Sequence, residues 1–187
     1  MNAETSGIYL TWPSSAEPLP AHLRQDFLEL DHLMRSLMGS AQHQVILVSP
    51  FLGWKGMREM RAALTVSCGR GSWLRIITSD AEGERQANRA ALAELVSGPD
   101  GEVIRGRLRV LTPADGVTFL IHGKAVLVDG ERGYLGSANM SFNGIDANVE
   151  FGVSLAYRQV DALTRLVSFL EAKSLMLDIT SRVLKSV

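Results

Sequence analysis

The segment His122-Gly123-Lys124-Ala125-Val126-Leu127-Val128-Asp129 carries an imidazole and an ammonium two residues apart. On an extended strand, side chains at that spacing share a face. His122 and Lys124 are therefore expected to project together, with Val126 and Val128 beneath them. The pair suits attack on an anionic phosphate: the ammonium neutralises the oxygens while the imidazole supplies the nucleophile. A second segment, Gly136-Ser137-Ala138-Asn139, again sets two polar side chains two apart, able to donate hydrogen bonds to the same oxygens. Gly123 and Gly136 leave space for a bulky group to approach the backbone. Nothing in this set needs a metal ion, and no cofactor is expected. Further along, Glu150 alternates with Gly152 and Ser154 against Val149, Phe151, Val153 and Leu155, so that its face reads as a small polar pocket wall. Asp129 differs in parity from His122 and stands in the hairpin pair Asp129-Gly130, which makes it structural.

The elements that must position these residues can be followed along the chain. Residues 1–20 are rich in Pro, Ser and Ala and read as a loosely held arm. Leu23, Phe27, Leu28, Leu30, Leu33 and Leu37 recur at helical spacing over 23–38, with Gly39 as a stop. Strands are expected at 44–50, 73–79 and 107–113, alternating with helices at 55–66 and 81–96, the latter ended by Ser97-Gly98-Pro99. After residue 116 come three strands with short connections, in VTFLIHGKAVLVD, GYLGSANM and NVEFGVSLA. A long helix over 158–186 is expected to close the chain, with Val160, Leu163, Leu166, Val167 and Leu170 on one face. The fold class implied is α/β: a layered domain with a mixed, mostly parallel sheet flanked by helices, occupying 21–187 as a single domain.

Composition bounds the function. The chain has 187 residues, 46% hydrophobic and 21% charged, with a formal net charge of -1. A molecule so nearly neutral is not a global electrostatic trap for nucleic acid. Between Lys55 and Arg109 there are nevertheless ten Lys/Arg against seven Asp/Glu, a local surplus of three. The single cysteine, Cys68, excludes an intrachain disulfide and a multi-cysteine metal cage. No basic-then-apolar leader and no membrane-length apolar run is visible, so a reduced, cytoplasmic location without a membrane anchor is expected. Trp73 opens a strand and reads as core, whereas Trp54 reads as a pocket rim. Arg105, Arg107 and Arg109 alternate, and solvated edge charges are the favoured reading over a nucleic-acid track.

The pattern HxKxxxxD followed by GSxN resembles the signature of the phospholipase D superfamily, most closely the short bacterial nucleases and defence-associated proteins with one motif per chain. The match is strong over 117–155 and looser over 44–116. The resemblance implies a fold of the layered phospholipase D type. It also implies that His122 is the nucleophile forming a phosphohistidine, or the acid that protonates the leaving oxygen. Lys124 and Asn139 would bind phosphate oxygens, Ser137 would support that pocket, and Glu150 would hold the His122 ring by its second nitrogen. In-line displacement needs a nucleophile on one side of phosphorus and an acid on the other, yet His22, His32 and His43 lack a lysine two residues later. A homodimer with a composite active site is therefore expected, since two-fold pairing brings the same patch together twice. The leading reading is a metal-independent nuclease acting on DNA or RNA, in antiphage defence with partner proteins of such a system. A phospholipid hydrolase or transferase, and a non-catalytic nucleic-acid-binding dimer module, are the alternatives.

Overall fold

The computed structural model describes residues 7–79 and 86–185. In chain order its elements are β1 (Ile8–Thr11), α1 (Ala21–Arg24), β2 (Leu28–Glu29), α2 (Leu30–Ser40), β3 (Gln44–Val48), α3 (Trp54–Gly69), β4 (Trp73–Ile77), α4 (Gln86–Leu95), α5 (Gly98–Arg105), β5 (Leu108–Pro113), β6 (Ala125–Val128), β7 (Arg132–Gly136), a single π-turn (Asn143–Ala147), β8 (Glu150–Leu155), α6 (Tyr157–Ala172), β9 (Met176–Asp178) and α7 (Thr180–Leu184). The strands form one sheet in the order β2-β1-β8-β7-β6-β3-β4-β5-β9.

Alternation along the central strands sorts the core into two layers. Val45, Leu47, Leu74, Ile76, Val110, Val126, Val128 and Tyr134 face α2, α3, α4 and α7. Ile46, Val48, Ile77, Leu111, Ala125 and Leu127 face α6. The result is a helix–sheet–helix sandwich. At its second layer, Glu171 of α6 binds Arg75 and Arg109 from neighbouring strands at 2.8 and 2.7 Å.

The α/β class and the mixed, helix-flanked sheet are as expected, but the parallel share is smaller. Parallel pairing is confined to β1/β2, β3/β4 and β4/β5, whereas β1/β8, β3/β6, β5/β9, β6/β7 and β7/β8 are antiparallel. The three-residue link between β6 and β7 leaves no room for a crossover, so these two strands can only turn back on each other.

Other boundaries also shift. Within the expected arm, Ile8–Thr11 is a sheet strand paired with β8. The expected 23–38 helix is two helices split by β2, whose Leu28 pairs with Tyr9. Gly98-Pro99 opens α5 with proline in its first turn, a position where the missing N–H costs nothing. The long final helix stops at Ala172; Ser174 turns at φ 56° and the chain returns as β9 beside β5. Of the expected 81–96 helix, residues 81–85 lie outside the described residues. Trp73 is exposed rather than core, with the Arg107 guanidinium 5.3 Å from its ring centroid. Arg105 donates to the Val96 carbonyl and Arg109 pairs with Asp178 and Glu171, so the three alternating arginines serve separate contacts rather than one track.

Candidate active site

Strand register places the motif residues at one end of the sheet. Val48 pairs with Ala125, so the segment after β3 lies beside the segment that precedes β6, which holds His122 and Lys124. Only Ala125–Val128 is ladder; His122-Gly123-Lys124 is an extended lead-in, anchored where the Lys124 carbonyl accepts the Gly136 N–H at 3.1 Å. Gly136 in turn pairs with Gly152, two residues from Glu150. Directly paired residues share a face, so Lys124, Gly136, Gly152 and Glu150 all belong to the face that carries Val126 and Tyr134.

The His122 and Lys124 side chains meet. Lys124 Nζ lies 3.0 Å from His122 Nδ1 and donates to the His122 carbonyl at 2.9 Å. An ammonium has no lone pair, so the ring nitrogen must accept. The same ammonium lies 3.4 Å from His122 Nε2, so it stands beside both ring nitrogens.

Glu150 is held by other partners. Ser137 Oγ donates to one carboxylate oxygen, and Asn148 Nδ2 donates to the other at 3.2 Å. Ser137 Oγ also accepts the Phe151 N–H at 3.1 Å. Among the described residues no hydrogen bond joins Glu150 to His122, so the ring-holding contact implied by the family resemblance is not formed within this chain. Asn139 reaches the same end through the loop after β7, and its Oδ1 is buried without a partner. A buried amide left unpaired costs stability, which marks Asn139 as a group held for something other than the fold.

Asp129 stands at the opposite end of β6, at φ 55°. Its carboxylate accepts the backbone N–H groups of Gln42, His43 and Gln44 at 2.9, 2.8 and 2.8 Å. Burial pushes this acid upward, but the three donors outweigh it and hold the group below the usual aspartate range. The contact fixes the start of β3, at the other end of β6 from His122 and Lys124.

Two features were missed. The first is Tyr134, fully buried beneath the site. A Cβ at Gly136 would stand 2.1 Å from its hydroxyl, and one at Gly152 would stand 2.0 Å from its ring. The space at Gly136 is thus filled by the Tyr134 phenol rather than left for an approaching group, whereas Gly123 does face open space. Burial, with the Glu150 charge in support, pushes the Tyr134 phenol up to about 12 against the opposing Ala138 hydrogen bond. The Tyr-x-Gly spacing in 134–136 was its only signal in the sequence. The second is a clamp on the loop after Asn139. Met140 N–H donates to Ser49 Oγ at 2.9 Å, and its carbonyl accepts the Gly53 N–H at 2.9 Å. Buried Asn88 braces the same segment, donating to Pro50 O, Thr78 Oγ1 and Ser79 O and accepting from Leu52 N–H. These contacts join residues far apart in the chain and have no local signature.

The family model described as cardiolipin synthase, PLD-like domain, matches residues 34–168. The chain belongs to the PLD-like family. No curated protein matches it. Solved structures do. Nuc, a phospholipase D family member from Salmonella typhimurium, superposes with a TM-score of 0.62 at 16% identity, over 92% of this chain and 97% of that one. NucT from Helicobacter pylori gives 0.59 at 16% identity, over 92% and 98%. Phosphatidylserine synthase from Haemophilus influenzae gives 0.63 at 14% identity, over 94% of this chain but 40% of that one. At such identities the likeness concerns the PLD-like fold. Among the described residues of this PLD-like chain, no group of three or more His, Cys, Asp and Glu could hold a metal ion. No helix among them is long and apolar enough to cross a membrane.

Proposed function

We propose that this PLD-like chain is one half of a metal-independent phosphodiesterase, a nuclease acting on DNA or RNA as a two-fold homodimer. The observation that carries the reading is the convergence of His122, Lys124, Ser137, Asn139 and Glu150 on one sheet end, with a single HxK pair. The fold shared with Nuc and NucT over 92% of this chain supports the phosphodiesterase reading.

In the proposed reaction Lys124 transfers its ammonium from the imidazole to the phosphate, and Asn139 turns its uncommitted amide toward the same oxygens. A ring nitrogen of His122 attacks phosphorus, forming a P–N bond as the P–O bond to the leaving group breaks. His122 of the partner subunit gives its proton to the departing oxygen. Water then attacks the phosphohistidine, losing its proton to that same partner imidazole, and His122 is released unchanged. Glu150 stabilises imidazolium charge across the shared site. The proposed setting is a bacterial antiphage defence system, which rests on the family resemblance alone.

A second reading, a phospholipid hydrolase or transferase, is favoured by one observation. An apolar groove of about 440 Å³ beside His122, lined by Ile77, Phe119, Ile121, Leu163, Leu166 and Leu170 among others, would accept an acyl chain. The deciding experiment offers labelled single- and double-stranded DNA, RNA and phosphatidylcholine micelles to the protein in excess chelator. Cleavage of nucleic acid that persists in EDTA is expected. Cleavage of the lipid alone favours the second reading, and activity abolished by EDTA but restored by magnesium overturns the mechanism.

A further inference from the structure

The segment that follows β3 carries a surface cluster which the chemistry above does not use. Trp54, the first residue of α3, is 44% exposed, and Phe142, three residues beyond Asn139, is 39% exposed. Lys55 Nζ lies 5.6 Å from the Trp54 ring centroid and 4.6 Å from that of Phe142. Arg58 Cζ lies 4.9 Å from Trp54 on its own account. Two solvent-facing rings and two cations thus form one patch, with Lys55 shared between the rings.

The patch is tied firmly to the site. Leu52 bridges to Met140, and the Met140 carbonyl accepts the Gly53 N–H at 2.9 Å. Gly56 packs so closely on Ser141 that a Cβ there would stand 2.7 Å from its backbone. The loop carrying Asn139 and the start of α3 therefore move as one, and whatever lies on Trp54 and Phe142 is held at a fixed place relative to the phosphate pocket.

An exposed aromatic ring offers a flat face to any base, and cations lying against such faces are within reach of the phosphates between successive bases. Bases inside a duplex are stacked on one another and present only their edges in the grooves. With a net charge of -1, affinity for a polyanion must come from a local patch rather than from the molecule's overall field. We propose that Trp54, Phe142, Lys55 and Arg58 form a stacking platform for unpaired bases of single-stranded nucleic acid, delivering the adjoining phosphodiester to the His122 site. The proposal rests on the nucleic-acid reading of that site and narrows it to the single-stranded form. An anionic membrane surface would also take aromatic and basic side chains, but here both cations lie over ring faces, the interleaving that suits alternating base and phosphate.

The test uses the full chain carrying His122→Ala, so that the probe stays intact, and follows the anisotropy of a fluorescein-labelled dodecathymidylate against a duplex of equal length. The single strand is expected to bind about ten-fold or more tightly than the duplex. Trp54→Leu, which keeps an apolar side chain but removes the flat face, should weaken it by about five-fold or more, and Phe142→Leu should act in the same direction. Trp54→Phe should stay within about two-fold of the parent, since the flat face remains. Lys55→Gln should reduce the salt dependence by roughly one phosphate contact. Thermal midpoints of all four variants check that the fold is kept. Equal binding of the two probes, or Trp54→Leu indistinguishable from Trp54→Phe, overturns the proposal. So does sedimentation with phosphatidylglycerol vesicles that Trp54→Leu abolishes while oligonucleotide binding persists. Failure of the nuclease reading is separate: the wild-type chain would then cut no nucleic acid even though the platform binds it.

Discussion

At the site, each candidate group is held by a neighbour. Lys124 donates to the His122 carbonyl and lies against its ring, where a phosphate can draw the ammonium away. Glu150 is fixed by Ser137 and Asn148 rather than by the ring within its own chain. His122 is exposed and its side chain supports nothing in the core. His122→Ala should therefore fold normally while losing about four orders of magnitude or more in turnover, as removal of an essential nucleophile does. Circular dichroism and initial rates check this together, and a folded variant with near-wild-type rates would remove His122 from the mechanism. Glu150→Gln keeps the nucleophile and one of the two acceptor positions but discards the charge, so a smaller loss, about ten- to a hundred-fold, is expected. That five candidate residues gather at one sheet end was legible because the dense spacing from His122 to Asn139 and the alternation around Glu150 are local properties of the chain. Tyr134 was not, because its role depends on the register that stacks Gly136 and Gly152 against its ring.

Among the elements, Asp129 and the Tyr134 cradle make separable predictions. The three N–H donors hold the folded-state pKa of Asp129 below its ordinary value, so its stabilisation is present above about pH 4 and fades as pH falls through the folded value. Asp129→Asn should cost about 1–3 kcal/mol at pH 7, and the gap to the parent in urea titrations should shrink on acidification below about pH 4. A gap that widens in acid would show that the donors do not act on the charged form. Gly152→Ala should cost about 1–3 kcal/mol through overpacking against the Tyr134 ring, and Tyr134→Ala should make the same substitution less costly. If the two changes instead add independently, the ring is not what the glycine accommodates. Elements with strong local patterns were readable: β3, α3, β4 and β5 match apolar runs and helical spacings in the sequence. Those decided by distant partners were not. β9 has three residues and exists because β5 offers an edge to pair with, while Leu175 and Leu177 read equally well as a continuation of α6. β1 hid in a Pro/Ser-rich segment because its partner, β8, lies far along the chain.

For the whole molecule the question is whether a second copy completes the site. The apolar stripe of α6 is largely spent on the chain's own sheet: Val160 and Val167 are buried, and Leu163 and Leu170 pack beside them. The sheet itself leaves a better surface. Val153 pairs directly with Ile8 and with Leu135, Phe151 lies two residues away on the same face, and all four are exposed. This row continues the α6 side of the sheet past the helix that covers its centre, and it lies on the strands whose ends carry Ser137 and Glu150. A second copy set across it by a two-fold axis would cover the apolar face and bring the two site ends toward each other. The functional claim can be tested apart from the surface. His122→Ala subunits are mixed with wild-type subunits, allowed to exchange, and assayed as a function of mutant fraction. If each subunit works alone, the rate falls linearly with that fraction. If one phosphate needs His122 from both subunits, mixed dimers are inactive and the rate follows the square of the wild-type fraction. Val153→Asp should move the protein toward monomer in sedimentation and lower activity in proportion to the dimer lost, because a charge buried at an apolar contact is left unpaired. A linear decline on mixing, or a monomer in sedimentation that retains full activity, rules out the shared site.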